Sequence, residues 1–394
     1  MRTAPRGGPM RQPKLSLIIP YERRLDNLRL ALQGLARQTM SPADFEVVVG
    51  TTKYDDDYVA TCREVVDRIN LVTVMSDERF EIPRARNLAM RQATGDVIVN
   101  IDADTLLPPH GLQHLYERHY AFGQNACVVG QVVGYGNNYD GDVSHVVPEP
   151  FEIWQKRLED LHGIVERPRD PRFQVEHVIP WSFAWTGLVA LPAGLVRKHD
   201  LYFDESFIGW GVDDIEWGYR IAATGTPILL RPDAYAIHLP HVRDSAANFV
   251  TEAITYRQFL RKWPGPDVEL AAAFSDYEAN GLYLDYLAAV RAVLRDGADL
   301  LGTVRVVTDG TASLFLGVPL DREHHILDAE VRDVTRSAAS VEILPLAGLA
   351  VPYEDGSAAN CRVLPTIDRL PAKYVAKVRA TARRLVGADA EGAR

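Results

Sequence analysis

The stretch VIVNIDADTLLPP, Val97 to Pro109, ends an apolar run in two carboxylates, Asp102 and Asp104. VIVNI has the length and β-branched content of a buried strand. Unpaired carboxylates are costly to bury there. Either the two acids cap a turn, or a positive charge sits on them. Residues i and i+2 of an extended segment point the same way, so the spacing predicts carboxylates that project together. Oxygen-rich pairs of this kind suit hard divalent cations such as Mg²⁺ or Mn²⁺. Such cations bridge diphosphates and neutralise charge on a leaving group. An ordinary turn is the competing reading, because short Asp pairs are common in turns.

Upstream, LSLIIP (Leu15–Pro20), FEVVVG (Phe45–Gly50) and LVTVM (Leu71–Met75) read as three further buried strands. Helices are expected between them. LDNLRLALQGLARQ carries Leu28, Leu32 and Leu35 on one face with Asp26 as N-cap. TCREVVDRI turns Val65, Val66 and Ile69 inward, and IPRARNLAMRQAT (Ile82–Thr94) stops at Gly95. Strand and helix alternating at this spacing predict an α/β fold with a mostly parallel sheet and helices on both faces. Ligands then sit beyond the carboxyl ends of the strands. Asp102 and Asp104 lie there, as do Tyr21 and Glu22.

Downstream, CVVGQVVGYGNNYDGD continues as a strand and a Gly/Asn/Asp loop. About Tyr135 to Pro180 is polar and proline-punctuated, the character of a lid or binding loop. SFAWTGLVAL and PILLRP read as strands, GWGVDDIEWGYRIAATG as a loop, a short helix and a Gly stop, and AIHLPHVRD as a loop. Residues 1–13 are expected to be a disordered tail and 14–265 the main domain. Residues 266–301 are expected to be a helical linker, with an apolar stripe at Leu284, Leu287, Val290 and Leu294. Residues 302–394 make a small C-terminal α/β unit, with strands in TVRVVTDG, SLFLGVPL and SVEILPL and a last helix in PAKYVAKVRATARRLV.

Of 394 residues, 47% are hydrophobic and 24% charged, the balance of a soluble globular chain. A net charge of −10 argues against sequence-independent grip on nucleic acid, which needs Lys and Arg against phosphate. Cys62, Cys127 and Cys361 form no paired framework, which suits a reducing compartment. No apolar run approaches the ~20 residues of a membrane span. A cytoplasmic location is expected, with peripheral membrane contact left open.

Two more stretches carry chemistry. In Gly209-Trp210-Gly211-Val212-Asp213-Asp214, acids at a helix start are ordinary. The flanking glycines are not, since they cost backbone entropy. A carboxylate aimed at an acceptor hydroxyl as general base is the functional reading, with Trp210 as a flat face for a sugar ring. In His238-Leu239-Pro240-His241, a neutral imidazole could complete a metal shell. Mixed Asp/His ligation favours Mn²⁺ over Ca²⁺. Two plain loop histidines are the alternative.

Asp-x-Asp, then Trp-Gly-x-Asp-Asp, then a late histidine on a βαβ chain resembles the GT-A-fold glycosyltransferases of family 2. The likeness is nearest to the branch of bacterial chondroitin-type polymerases, with further likeness to β-1,4-galactosyltransferases. It runs from about Lys14 to Trp263, strongest in LSLIIPYERR, IPRARNLAMRQATGDVIVNIDADTLLPP, GWGVDDIEWGYRI and AIHLPH.

The resemblance implies that Asp102 and Asp104 hold a metal and the nucleotide-sugar diphosphate, Asp104 being the nearer ligand. It implies Arg86 and Asn87 beside the donor, and Pro20, Tyr21 and Glu22 framing the nucleobase. It implies Asp214 as the base of an inverting enzyme, with Asp213 at the acceptor, and His238 as a metal ligand with His241 competing. Trp210 and Trp185 are the expected acceptor-binding aromatics. A UDP-sugar donor and a saccharide or small natural-product acceptor follow. In place of the family's Asp-Asp-Gly-Ser turn stands Gly50-Thr51-Thr52-Lys53-Tyr54.

The tail segment LAVPYEDGSAANCRVLPTIDRLPAKY is similar to a late part of SAM-dependent methyltransferases, with only VVTDGTASL in place of their glycine-rich loop. A degenerate unit, structural or serving homo-oligomerisation, is expected there. Two competitors to glycosyl transfer stand beside it. A nucleotidyltransferase would need a Gly-rich basic loop where IIPYERRLDN stands. A donor-binding scaffold without turnover would not need the full acid set.

Overall fold

The computed structural model describes residues 12–135, 139–140, 149–161, 163–295 and 297–387. The terminal tail up to residue 11 and most of the glycine- and asparagine-rich loop at 136–148 lie outside the described residues. The chain forms two compact units. The first comprises residues up to Val175 and Phe183–Phe249; the second comprises Glu176–Ser182 and Val250–Arg394.

The first unit runs β1 (Leu15–Tyr21), α1 (Leu25–Leu35), β2 (Phe45–Thr51), α2 (Asp56–Arg63), β3 (Asn70–Met75), α3 (Ile82–Gln92), β4 (Val97–Asn100) and β5 (Thr105–Leu106). It continues with α4 (Gly111–His119), β6 (Cys127–Val133), β7 (Tyr139–Asp140), α5 (Phe151–Glu159), β8 (Val189–Pro192), α6 (Ala193–His199), α7 (Asp213–Ala223) and β9 (Ile228–His238). β10 (Val242–Arg243) pairs with β7, and α8 (Ser245–Lys262) carries the division between the units.

One eight-stranded sheet has the order β3-β2-β1-β4-β8-β6-β9-β5. β1 pairs in parallel with both β2 and β4, and β2 with β3. All residues of β1, β2 and β4 are buried, so both faces of this half are covered. This is the mostly parallel α/β sheet expected of a GT-A domain. Chain order reverses between β1 and β4, and a parallel sheet opens its ligand crevice beyond the carboxyl ends at such a point.

Several local expectations give way. α1 begins at Leu25 with Arg24 in the cap position, and Asp26 sits in the first turn, paired with Arg29. The second helix starts earlier than its apolar pattern suggests. The Asp55 side chain accepts from the amide of Tyr58 and caps it, the helix stops at Arg63, and Val66 is 47% exposed. A well-placed N-cap outweighs a weak apolar stripe. SFAWTGLVAL is strand only from Val189, whereas β9 runs on to His238 through residues expected to be a loop.

A buried ion pair fixes the segment before β8. Arg172 and Asp170 are both fully buried and 2.6 Å apart. Arg172 also donates to the carbonyls of Phe183 and Gly130, and Asp170 accepts from the amide of Val132. The pair thus ties an irregular stretch to β6.

In the second unit α9 (Pro266–Ala273) and α10 (Asp276–Val293) precede a four-stranded sheet of order β13-β11-β12-β14. Its strands are β11 (Leu300–Thr308), β12 (Thr311–Leu320), β13 (Ser340–Leu344) and β14 (Asn360–Val363). α11 (Ala329–Thr335) lies between β12 and β13, and α12 (Ala372–Val386) closes the chain's described part. The stretch expected to link two domains belongs to this unit instead. Its inner face is Ala279, Tyr286 and Val293, not the stripe through Leu284, which is 60% exposed. Glu269 on α9 binds there by accepting from the amides of Ala347, Gly348 and Leu349 and from the Tyr286 hydroxyl. Burial pushes its carboxyl up to about 7. VVTDGTASL is a hairpin turned by Asp309 and Gly310, both at positive φ. It is not a cofactor loop.

Removing one partner of a buried ion pair strands the other charge. Asp170→Ala should therefore destabilise the first unit by about 3–5 kcal/mol, read from its urea midpoint. A loss below about 1 kcal/mol would show that the pair is dispensable.

Candidate active site

The first part of the site is set by backbone pairing. β5 is two residues long and runs antiparallel to the end of β9, with Thr105 opposite His238. The amide of Leu239 donates to the Asp104 carbonyl at 2.7 Å. This brings Asp104, His238 and His241 together, all buried, with one ligand atom from each lying within 4.8 Å of the others. His241 Nδ1 is 3.3 Å and His238 Nε2 3.6 Å from Asp104 oxygens. The Nδ1 atoms of both histidines and Asp104 Oδ1 are buried without a hydrogen-bond partner. Burial holds the His238 imidazole below its usual range and His241 down to about 3, so both are neutral at physiological pH. Two neutral imidazoles and a carboxylate with close ligand atoms, and with His241 Nδ1 and Asp104 Oδ1 left without hydrogen bonds, fit a divalent transition-type cation. Arg24, the residue ahead of α1, donates to Asp104 Oδ2 at 2.6 Å.

Asp102 does not share this cluster. β4 ends at Asn100, and the amide of Thr105 turns back to the Asp102 carbonyl, so the extended geometry assumed for residues 102 and 104 is absent. Asp102 pairs with Arg86 at 2.8 Å instead.

Arg86 makes the second part of the site. It is buried on α3, and its guanidinium also reaches Asp213 at 3.1 Å and the Thr186 hydroxyl. The ring of Phe203 packs against it at 5.0 Å. Asp213 and Asp214 open α7. Burial and the charge of Asp214 push the Asp213 carboxyl up to about 7, opposed by Arg86. Burial raises Asp214 as well, again opposed by Arg86. Asp214 has no arginine of its own. It accepts from the amides of Thr186 and Ile215.

The Gly-Trp-Gly turn explains how these acids enter. Gly209 and Gly211 take φ of 92° and 106°, conformations open to glycine. Val212 follows at φ 54°, strained for a β-branched residue, and delivers the helix start. Behind it, Trp217 stacks on Phe203 and donates to the Leu201 carbonyl. Trp210 remains 36% exposed, with the Arg243 guanidinium over its ring.

The other expected residues make the following contacts. Asn87 spends both ends of its amide, donating to the Phe203 carbonyl and Glu205 and accepting from the Phe203 amide. It braces the backbone at Phe203. Tyr21 is buried and stacked on Tyr58, and burial pushes its hydroxyl up to about 12. Pro20 pairs with Gly50 inside the sheet, and Glu22 salt-bridges Arg23. Trp185 packs edge-on to Tyr135 and lies beside Arg172.

Tyr135 and Arg24 were not expected at the site. Tyr135 packs against His238 at 5.3 Å, and Gly187 lies so close that a Cβ there would meet its hydroxyl. Arg24 was legible as one of two arginines after β1. Tyr135, at the edge of an irregular stretch, gave no periodic signal.

The family model described as glycosyl transferase family 2 matches residues 16–178. Validoxylamine A glucosyltransferase of Streptomyces hygroscopicus subsp. limoneus is 30% identical over 382 residues, covering 87% of this chain and 82% of that protein. Chondroitin synthase of Escherichia coli is 25% identical over 240 residues, covering 57% of this chain and 34% of that one. Among solved structures, a mannosyltransferase from Pyrobaculum calidifontis, in complex with GDP-Man and Mn²⁺, has a TM-score of 0.45 at 19% identity, covering 73% of this chain and 77% of that chain. With a mostly parallel α/β sheet and a glycosyltransferase relative matched along most of both chains, the chain belongs to glycosyltransferase family 2 and is a glycosyltransferase.

Proposed function

We propose that this glycosyltransferase is cation-dependent and inverting, and that it moves a hexose from a nucleotide-sugar to a hydroxyl of a saccharide or small natural product. One observation carries the reading. A buried carboxylate–dihistidine cluster at Asp104 lies two residues along the chain from Asp102, whose partner Arg86 also binds Asp213 of the acid pair. Asp104, His238 and His241 would hold Mn²⁺ or Mg²⁺, which supplies positive charge for a departing diphosphate.

Asp214 is the base. Among the described residues it forms no salt bridge and feels Arg86 only through space, whereas Asp213 is bonded to Arg86. As the acceptor oxygen bonds to the anomeric carbon, its proton passes to Asp214. The bond from that carbon to the phosphate oxygen breaks, and the electron pair leaves with the diphosphate. Attack opposite the leaving group inverts the carbon. Asp213 and Arg86 orient the base, and Trp210 offers its exposed ring to the acceptor. Trp185 lines the same region from beyond Tyr135.

The alignment with validoxylamine A glucosyltransferase extends past the first unit, whereas that with chondroitin synthase covers 57% of the chain. This supports glucose as the sugar and a small molecule, not a growing polymer, as acceptor. UDP is the expected carrier and the cytoplasm the expected location. Among the described residues no helix is long and apolar enough to cross a membrane.

Asp214→Asn should keep nucleotide binding and lose transfer by roughly 10²–10⁴-fold, because a base acts only in the transition state. Calorimetry with UDP and GDP, beside initial rates with UDP-glucose and a small polyol acceptor, checks this. Near-wild-type turnover would remove Asp214 from the mechanism.

The base must be ionised, and its carboxyl sits above the usual range. The acid limb of the pH–rate profile should therefore lie above the range of an ordinary exposed aspartate. Arg86 favours the ionised form, so Arg86→Gln should move that limb to higher pH. An unmoved limb would show that the acid pair does not set it.

A further inference from the structure

Asp104 serves two masters. Its side chain is 2% exposed, while Arg24, bonded to Oδ2 at 2.6 Å, is 44% exposed and has room to turn outward. Arg24 caps α1 in a left-handed conformation at φ 68°, its carbonyl accepting from the amide of Leu28, so its backbone is fixed while its side chain is half-exposed. The oxygen it holds is also the one 3.3 Å from His241 Nδ1. A cation seated among Asp104, His238 and His241 would come within a few ångströms of the guanidinium in a buried place. Like charges repel strongly there.

We propose that Arg24 is a retractable counter-ion. It competes with the divalent cation for Asp104, so the cation binds tightly only together with an anionic diphosphate that receives the displaced arginine. The inference rests on the reading of Asp104, His238 and His241 as the cation site.

Charge supports it. One carboxylate cannot neutralise both a divalent ion and a guanidinium. The surplus is positive, and a diphosphate answers it with several acceptor oxygens for the planar fork of an arginine. Cation and diphosphate then favour each other by a common factor, by linkage. Arg24 contributes to that factor as a positioning residue. It gives the chain a reason to ignore free metal and to respond to metal that arrives with a nucleotide.

The test is direct Mn²⁺ binding to the full chain, followed by the electron paramagnetic resonance of free Mn²⁺. Without nucleotide, Arg24→Gln should bind Mn²⁺ tighter than wild type by about tenfold. Arg24→Lys, which keeps a cation, should gain less. UDP or GDP should then tighten Mn²⁺ more in wild type than in Arg24→Gln. Mn²⁺ affinity in Arg24→Gln equal to or weaker than wild type overturns the proposal, as does equal tightening by nucleotide in both. Asp104→Asn separates the two readings. If, with UDP or GDP present, it binds Mn²⁺ as wild type does, the cation site itself is wrong. If it loses Mn²⁺ while Arg24→Gln gains nothing, only the role of Arg24 fails.

Discussion

A single buried guanidinium makes the site tenable. Arg86 sits between Asp102 and Asp213 with a third carboxylate, Asp214, alongside. Without it Asp213 and Asp214, whose carboxyls burial already raises, would repel each other and Asp102 more strongly. Arg86 answers two of them directly and lowers the cost of the third. The fold supports this one side chain from several directions. α3 brings it in, Phe203 packs on its face, and Asn87 on the same helix clamps the backbone at Phe203. Arg86 therefore links sheet, helix start and acceptor-side loop in one electrostatic arrangement.

The division of labour among the acids follows from position. Asp102, at the end of β4, faces the arginine, whereas Asp104, two residues later, is turned by β5 toward the histidines. Two carboxylates nearly adjacent in sequence thus serve different partners. Asp213 and Asp214 repeat the pattern, one salt-bridged and one held by amides. Environment, not residue type, separates their roles.

Much of this was legible in the residues. Apolar runs of strand length placed β1 to β4, and the acids after β4 pointed to the crevice. What failed, failed for local reasons. Asp55 captured an amide and moved a helix earlier. The turn at 101–104 undid the parallel projection of two acids. Leu284 follows helical spacing, yet Tyr286 and Val293 face inward because the neighbouring surface selects them. The Arg172–Asp170 pair and Tyr135 lie in an irregular stretch where no period exists to read. Long-range partners such as Arg24 and Asp104 are set by strand order, which composition does not encode.

The shortness of β5 has its own consequence. Two rungs of backbone pairing hold Asp104 beside the histidines, while seven align β1 with β2. Short ladders exchange their amide hydrogens sooner than long ones, through local opening. The cradle can therefore loosen and re-form while the parallel half keeps its shape, giving the enzyme a soft jaw mounted on a hard frame.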